Sequence, residues 1–311
     1  MLALTVAAAR LAQFVCAMIL LGSPLFFIYA LPERGPGAAR ELTWPRPALL
    51  VAAIVLVLAA AVSFCAQTAV MTGSAADALD RDSLASVFAD TQFGKAVVVR
   101  FGLALLATVV LGVARPSRGL WLAISVLGAG IAASFAWTGH GSAGDGAARL
   151  AHLAIDVFHL WAAAVWLGAL AALCTLLFRS KTTMTPEELG ALHRALEGFS
   201  GLGAGIVAVL LATGLANSWF LVGPAHLAEV PFTSYGGLLL AKVGLFGMML
   251  MLAAANRLLL TPRLGSALDE SDPVAGAVAA LRCSVLLESV LGVLVLVLVS
   301  LLGTLAPLSS Q

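Results

Sequence analysis

Charge is scarce in this chain. Only 11% of its 311 residues are Asp, Glu, Lys or Arg, where a soluble domain carries about a quarter. That deficit excludes an ordinary water-soluble enzyme. An excess of either sign is also missing, since 17 basic residues face 16 acidic ones for a net charge of +1. A nucleic-acid binder needs a basic surplus to neutralise phosphates, so that class is excluded too. Cysteine is limited to four residues, none in a C-x-x-C pair and all in apolar stretches, so there is no disulfide framework. No Walker loop, Gly-x-Ser-x-Gly or H-E-x-x-H motif occurs, and no soluble domain carries a phosphorylatable aspartate. The chain therefore does not hydrolyse ATP by itself, and pumping would need a partner or an ion gradient. What is abundant is hydrophobic residues, 61% of the total. The protein belongs in a membrane.

A helical span needs about 20 mostly apolar residues. Eight such runs occur, at about 6–31, 47–71, 95–114, 119–138, 150–178, 197–222, 235–257 and 281–306. They predict an all-α polytopic helical bundle of about eight transmembrane helices, a single integral membrane domain over 1–311. Arg10 before the first run could suggest a secretory signal, but the apolar core is too long and Arg34, Arg40 and Arg46 follow it, so it is read as a span. Basic residues gather in the odd-numbered loops: Arg34, Arg40 and Arg46, then Arg115 and Arg118, then Arg179, Lys181 and Arg194, then Arg257, Arg263 and Arg282. The second loop is acidic instead, with Asp77, Asp80, Asp82 and Asp90. The positive-inside rule puts the odd loops in the cytoplasm and both termini in the periplasm. Leu84, Val87, Phe88 and Thr91 in loop 2 have helical spacing, which predicts a short helix on the outer surface or a partly buried connector. Thr261 to Pro273 reads as a flexible cytoplasmic turn.

Ionisable groups inside a bilayer are costly, and each is a functional candidate by default. Counted from the outer end of each span, Arg100 lies roughly 9 Å down, Lys242 roughly 10 Å, and Asp156 and His159 roughly 9 and 14 Å. Gln13, Cys16, Cys65, Gln67 and Asn217 fall at similar levels of spans 1, 2 and 6. Separate helices thus place polar atoms in one layer of the outer third. In span 5 the spacing of His152, Asp156, His159 and Trp166 puts all four on one helical face. His152 and His159 are about 10.5 Å apart along the axis, too far to ligate one ion unaided. Either histidine with Asp156 could share an ion or a hydrogen bond. Imidazole suits copper, zinc or iron, and a carboxylate fixes its tautomer. The plain alternative is that these are interhelical hydrogen bonds.

Four of five histidines, His140, His152, His159 and His226, fall on the outer side, with His193 cytoplasmic. A ligand set from loops 4 and 6 and the top of span 5 is geometrically reasonable, with His226 equally readable as a solvated loop residue. Soft sulfur ligands select Cu(I), which brings in Cys16, Met18, Cys65 and Met71 in spans 1 and 2, with Met248, Met249 and Met251 deeper in span 7. Each of these sulfurs is also an ordinary apolar filler. Glu288 in the cytoplasmic half of span 8 reads either as a proton or ion relay or as an acid paired with Arg282 or an asparagine.

His152 to Leu170, reading His-Leu-Ala-Ile-Asp-Val-Phe-His-Leu-Trp-Ala-Ala-Ala-Val-Trp-Leu-Gly-Ala-Leu, resembles the fifth-span signature of the copper resistance D family (CopD/PcoD). Phe93-Gly-Lys with Arg100, Thr213-Gly-Leu-Ala-Asn217, Tyr235 to Lys242, Asn256-Arg257, and Arg282 with Glu288 and Pro307 are similar to its third, sixth, seventh and last spans. The resemblance covers nearly the whole chain in order. It implies a non-enzymatic protein of the bacterial inner membrane that takes a copper ion at the periplasmic face, beside a small periplasmic copper carrier of the CopC type, and moves it into the cytoplasm. By motif it directs attention to His140, His152, Asp156, His159, Trp166 and Lys242. Relatives often carry a histidine early in span 1 where this chain has Gln13, and Cys16 is the residue that could substitute. Copper would load at a His/Asp/sulfur cluster and pass Met248, Met251 and Glu288. Two other readings use the same residues: a b-haem or quinone-linked redox protein, against which stands the lack of a second histidine at the depth of His159, and an assembly factor delivering copper to an oxidase.

Overall fold

A computed structural model of the protein describes residues 2–30, 45–139, 146–179, 185–269 and 274–310. They form α1 (Leu2–Ala30), α2 (Pro45–Thr72), α3 (Arg81–Asp90), α4 (Gln92–Val113), α5 (Arg118–Ala133), α6 (Gly146–Arg179), α7 (Pro186–Leu221), α8 (Ser234–Ala255), α9 (Thr261–Asp269) and α10 (Val274–Leu302). In hydrocarbon every backbone N–H and C=O must be satisfied within the segment, which is why apolar runs of this length become helices. Their starts carry the residues that serve orphan N–H groups. Thr91 accepts from Gly94, Ser117 from Leu120 and Thr233 from Gly236, and Thr185 and Glu188 form a reciprocal capping box.

Seven of the helices are long and apolar enough to cross a membrane. The fourth expected span is shorter, a 16-residue apolar helix, α5. Its end is set by side chains. The Ser134 and Thr138 hydroxyls turn back onto Ile131 O and Phe135 O while holding the Arg100 guanidinium, so Ser134–Thr138 run as turns. The sixth span begins earlier than its hydropathy suggests, at Pro186, because Leu192, Ala195 and Leu196 bury one face of its polar first turns. The segment expected to be a flexible turn after Thr261 is helical through Asp269, with Leu264 and Ala267 buried. The connector helix in loop 2 is present as α3, with Val87 buried and Phe88 exposed.

α1 runs through the middle of the molecule, packed by α2, α5 and α6 and touched by α7 and α10. On one side lies a core of α1, α2, α4, α5 and α6 residues around Leu20, Leu56, Leu111, Trp121 and Ile124. On the other lies a core drawn from α1 and α6 to α10 around Phe26, Leu170, Leu173, Leu192 and Leu281. α1 and α6 form the seam between them, and backbone contact locks it. A Cβ on Gly168 would sit 2.5 Å from both Gly22 Cα and Met18 O, and the Ser23 hydroxyl donates to Gly168 O at 2.7 Å. Small residues allow this approach where no hydrophobic force drives helices together in lipid. The start of α1 and the end of α10 meet, with Arg10 donating to Gly303 O at 2.7 Å.

Candidate functional site

The face of α6 picked out by spacing turns toward α7, and the two helices pair in antiparallel register. His152 stacks on Phe220 with ring centroids 4.5 Å apart and planes 10° from parallel. Asp156 Oδ1 accepts from Asn217 Nδ2 at 3.3 Å. His159 Nδ1 lies 2.9 Å from Thr213 Oγ1. That last contact settles a tautomer. The Thr213 hydroxyl is 2.6 Å from Val209 O, and a carbonyl only accepts, so the hydroxyl proton is committed there. The neutral imidazole must then carry its proton on Nδ1, donate it to Thr213, and keep a lone pair on Nε2.

His152, Asp156, His159, Asn217, Tyr235, Lys242, Arg10 and Met18 line one cavity of about 210 Å³. Lys242 lines this cavity beside Asp156 and His159 without a hydrogen bond to either. Asn217 Oδ1 is buried without a hydrogen-bond partner. A second cavity of about 210 Å³ shares His159 and Lys242 with the first and adds Trp166, Phe246 and Met249. A third, of about 490 Å³, shares Trp166 with the second and adds Asn256, Arg257, Thr261 and Glu288. His152, His159, Trp166 and Leu173, seven residues apart, visit the three in turn. That is about 31 Å of helix, close to the roughly 30 Å thickness of a bilayer core.

At the inner end of this series Glu288 is 1% exposed. Its Oε1 accepts from Trp166 Nε1 at 2.8 Å and its Oε2 from Asn256 Nδ2 at 3.0 Å. Of the two partners anticipated for it, the asparagine is the one found. Arg282 donates instead to Leu177 O at 2.9 Å.

Family comparison places the chain. Residues 1–150 match the model of the copper resistance protein D-like N-terminal domain, and residues 193–302 match that of copper resistance protein D. Copper resistance protein D of Pseudomonas syringae pv. tomato is 36% identical over 305 residues, 96% of each chain. The chain belongs to the copper resistance protein D family. Inner membrane protein YebZ of Escherichia coli (strain K12) is 31% identical over 218 residues, 70% of each chain. Copper transport protein CutJ of Bacillus subtilis (strain 168) is 33% identical over 159 residues, 50% of this chain and 28% of that protein. No solved structure matches. α6, with its His/Asp face, falls largely between the two family matches.

The remaining residues singled out by sequence are dispersed. Cys16 packs in the apolar core around Leu20, Leu56 and Trp121 and is not on the wall of the His/Asp cavity, where Met18 sits instead. Met71 borders a separate cavity of about 300 Å³ with Arg10, Gln67 and Arg100. Arg100, 2% exposed, is held by Gln13 Oε1 at 2.7 Å and Ser134 Oγ at 2.9 Å and lies over the Phe135 ring. It ties α4 to α1 and α5. His226 Nδ1 donates to Val222 O at 3.2 Å, outside the cavity. Met248 and Met251 are 45% and 66% exposed on the outward face of α8, whereas Met249, at 4%, lines the second cavity. His140 lies outside the described residues. Among the described residues no three His, Cys, Asp or Glu side chains gather closely enough to hold a metal ion. Thr213 and Phe220 were not singled out by sequence as neighbours of the histidines. Their spacing with Asn217, four and three residues, is the signal that mirrors the α6 face.

Proposed function

We propose that this protein carries copper across the bacterial inner membrane from the periplasm to the cytoplasm, without enzymatic chemistry. The observation that supports this best is the cavity series, which begins in a cavity lined by His152, Asp156 and His159 and continues for the thickness of a bilayer. His159 Nε2 and Asp156 are the first donors offered to the ion, with His152 and Met18 on the same wall and His140 as a further ligand. Imidazole and thioether suit copper, and a neutral histidine oriented through its other nitrogen is the usual form of a histidine ligand. The proposed orientation puts this end in the periplasm, where a CopC-type carrier would deliver its ion. Two observations support it. Arg10 and Gly303 bring the first and last long helices to one end of the bundle, as an even number of crossings with α5 as the eighth requires. Arg46 of the first basic loop caps α4 through Leu111 O and Gly112 O, at the opposite end, as the positive-inside rule expects of a basic residue.

Metal analysis of the purified protein tests the reading. His159→Ala and His140→Ala should lose bound copper while expression survives. Unchanged copper stoichiometry in both would remove the ligand assignment. Copper uptake into proteoliposomes separates transport from a delivery role.

A further inference from the structure

Glu288 is not needed to load a metal, yet it is among the most enclosed polar residues of the protein. Its two oxygens are met by neutral donors only, the Trp166 indole and the Asn256 carboxamide. Among the described residues the one close contact of a basic with an acidic side chain is His193 with Glu197, in the early turns of α7. The ionisable groups around Glu288 are few. α6 offers Cys174, whose thiol is 3.2 Å from the Ser289 hydroxyl. The turn after α8 offers Arg257 on the cavity wall, α7 contributes apolar side chains and Ser200 to that wall, and His159 and Lys242 belong to the neighbouring cavity. Arg282 of α10 is engaged with Leu177 and the Phe178 ring. An ionised carboxylate so placed is expensive unless a cation joins it.

A second observation points to which cation. Asn256 Oδ1 is buried without a hydrogen-bond partner. A carboxamide turned through a half-rotation exchanges its oxygen and nitrogen. In one setting Asn256 Nδ2 donates to the carboxylate, as seen. In the other, Asn256 Oδ1 accepts from a protonated Glu288. The same side chain therefore satisfies either protonation state, and the unused acceptor is accounted for. Asn256 opens a π-helical turn, Asn256–Leu260, between α8 and α9, a departure from α geometry found frequently at functional sites.

We propose that Glu288, Asn256 and Trp166 form a proton-exchange site that couples proton release to passage of the metal. The proposal rests on reading the cavity series as the copper route. Glu288 binds a solvent proton that reaches it through the 490 Å³ cavity and releases it to the same cavity as the metal cation arrives, so the carboxylate is not left without a positive charge. Trp166 stands in the walls of both neighbouring cavities, and its N–H bonds more strongly to a carboxylate than to a carboxylic acid. Protonation thereby loosens the indole that divides the route, which makes Trp166 a positioning residue for the passage.

Infrared difference spectra of the full-length protein in nanodiscs, without copper, read the site directly. Between about pH 5 and pH 9, the range in which buried carboxyl groups titrate, a carboxylic-acid C=O band should titrate in the wild type and be missing from Glu288→Gln. Asn256→Ala, should Glu288→Gln fail to fold, is expected to shift that band. Adding copper should diminish the band in the wild type, with one more proton released per metal bound than in Glu288→Gln, read with a pH indicator. No Glu288-dependent band in this range overturns the proton site, and a band indifferent to bound copper overturns the coupling. Copper stoichiometry measured on the same sample keeps the two readings apart. A wild type that binds no copper defeats the transport reading and the coupling with it, while the pH titration alone still decides whether Glu288 holds a proton.

Discussion

Thr213 offers a test of the copper-loading end that leaves every proposed ligand in place. Its hydroxyl receives the His159 Nδ1–H at 2.9 Å and passes its own proton to Val209 O. Thr213→Val keeps the shape and removes the acceptor, so the ring loses the bond that fixes its tautomer and its rotation. Removal of such an outer partner typically weakens metal binding 10–100-fold, which is about 1.4–2.7 kcal/mol. The cost to the fold is smaller, since a hydrogen bond between membrane helices averages about 0.6 kcal/mol. The two effects should therefore separate. Copper affinity, measured by competition with a chelator of known strength on detergent-solubilised protein, is expected to fall by one to two orders of magnitude, with thermal stability barely changed. Thr213→Ser restores the hydroxyl and should restore most of the affinity. Wild-type affinity in Thr213→Val, or equal weakness in Thr213→Ser, would refute the role assigned to this bond.

Other substitutions probe the frame. Gly168→Val drives a side chain into Gly22 Cα and Met18 O, backbone that cannot turn aside; overpacking of this kind costs about 1–3 kcal/mol or more. A lowered Tm with loss of copper binding is expected, and an unchanged Tm would show that α1 and α6 are not locked at this crossing. Met249 and Met251 separate the inward and outward faces of α8. Met249→Ala should slow copper uptake into proteoliposomes, while Met251→Ala should leave it unaltered; the reverse pattern would place the route on the other face.

Much of the cavity wall was legible because α6 announces it. His152, Asp156, His159 and Trp166 share a face by the 3.6-residue period alone, and that face does line the cavities. The period says nothing about what stands opposite. Asp156 was open to pairing with either histidine, and the structure gives it Asn217; His159 goes to Thr213 and His152 to Phe220. Cys16 and Met18 were indistinguishable as candidates two residues apart in one apolar run, and only Met18 reaches the cavity.

The amino-acid sequence alone determined that the chain is a helical membrane protein, roughly where its spans lie, and that polar groups cluster toward one end of them. These follow from the bilayer, which demands long apolar helices and makes each buried charge conspicuous. Tertiary structure decided which faces look inward. Lipid and protein interior are equally apolar, so α8 carries almost no pattern to say that Met249 turns in while Met248 and Met251 turn out. The length of α5, the helix at Thr261–Asp269 and the two donors on Glu288 likewise depend on contacts between segments far apart in the chain, which no local period encodes.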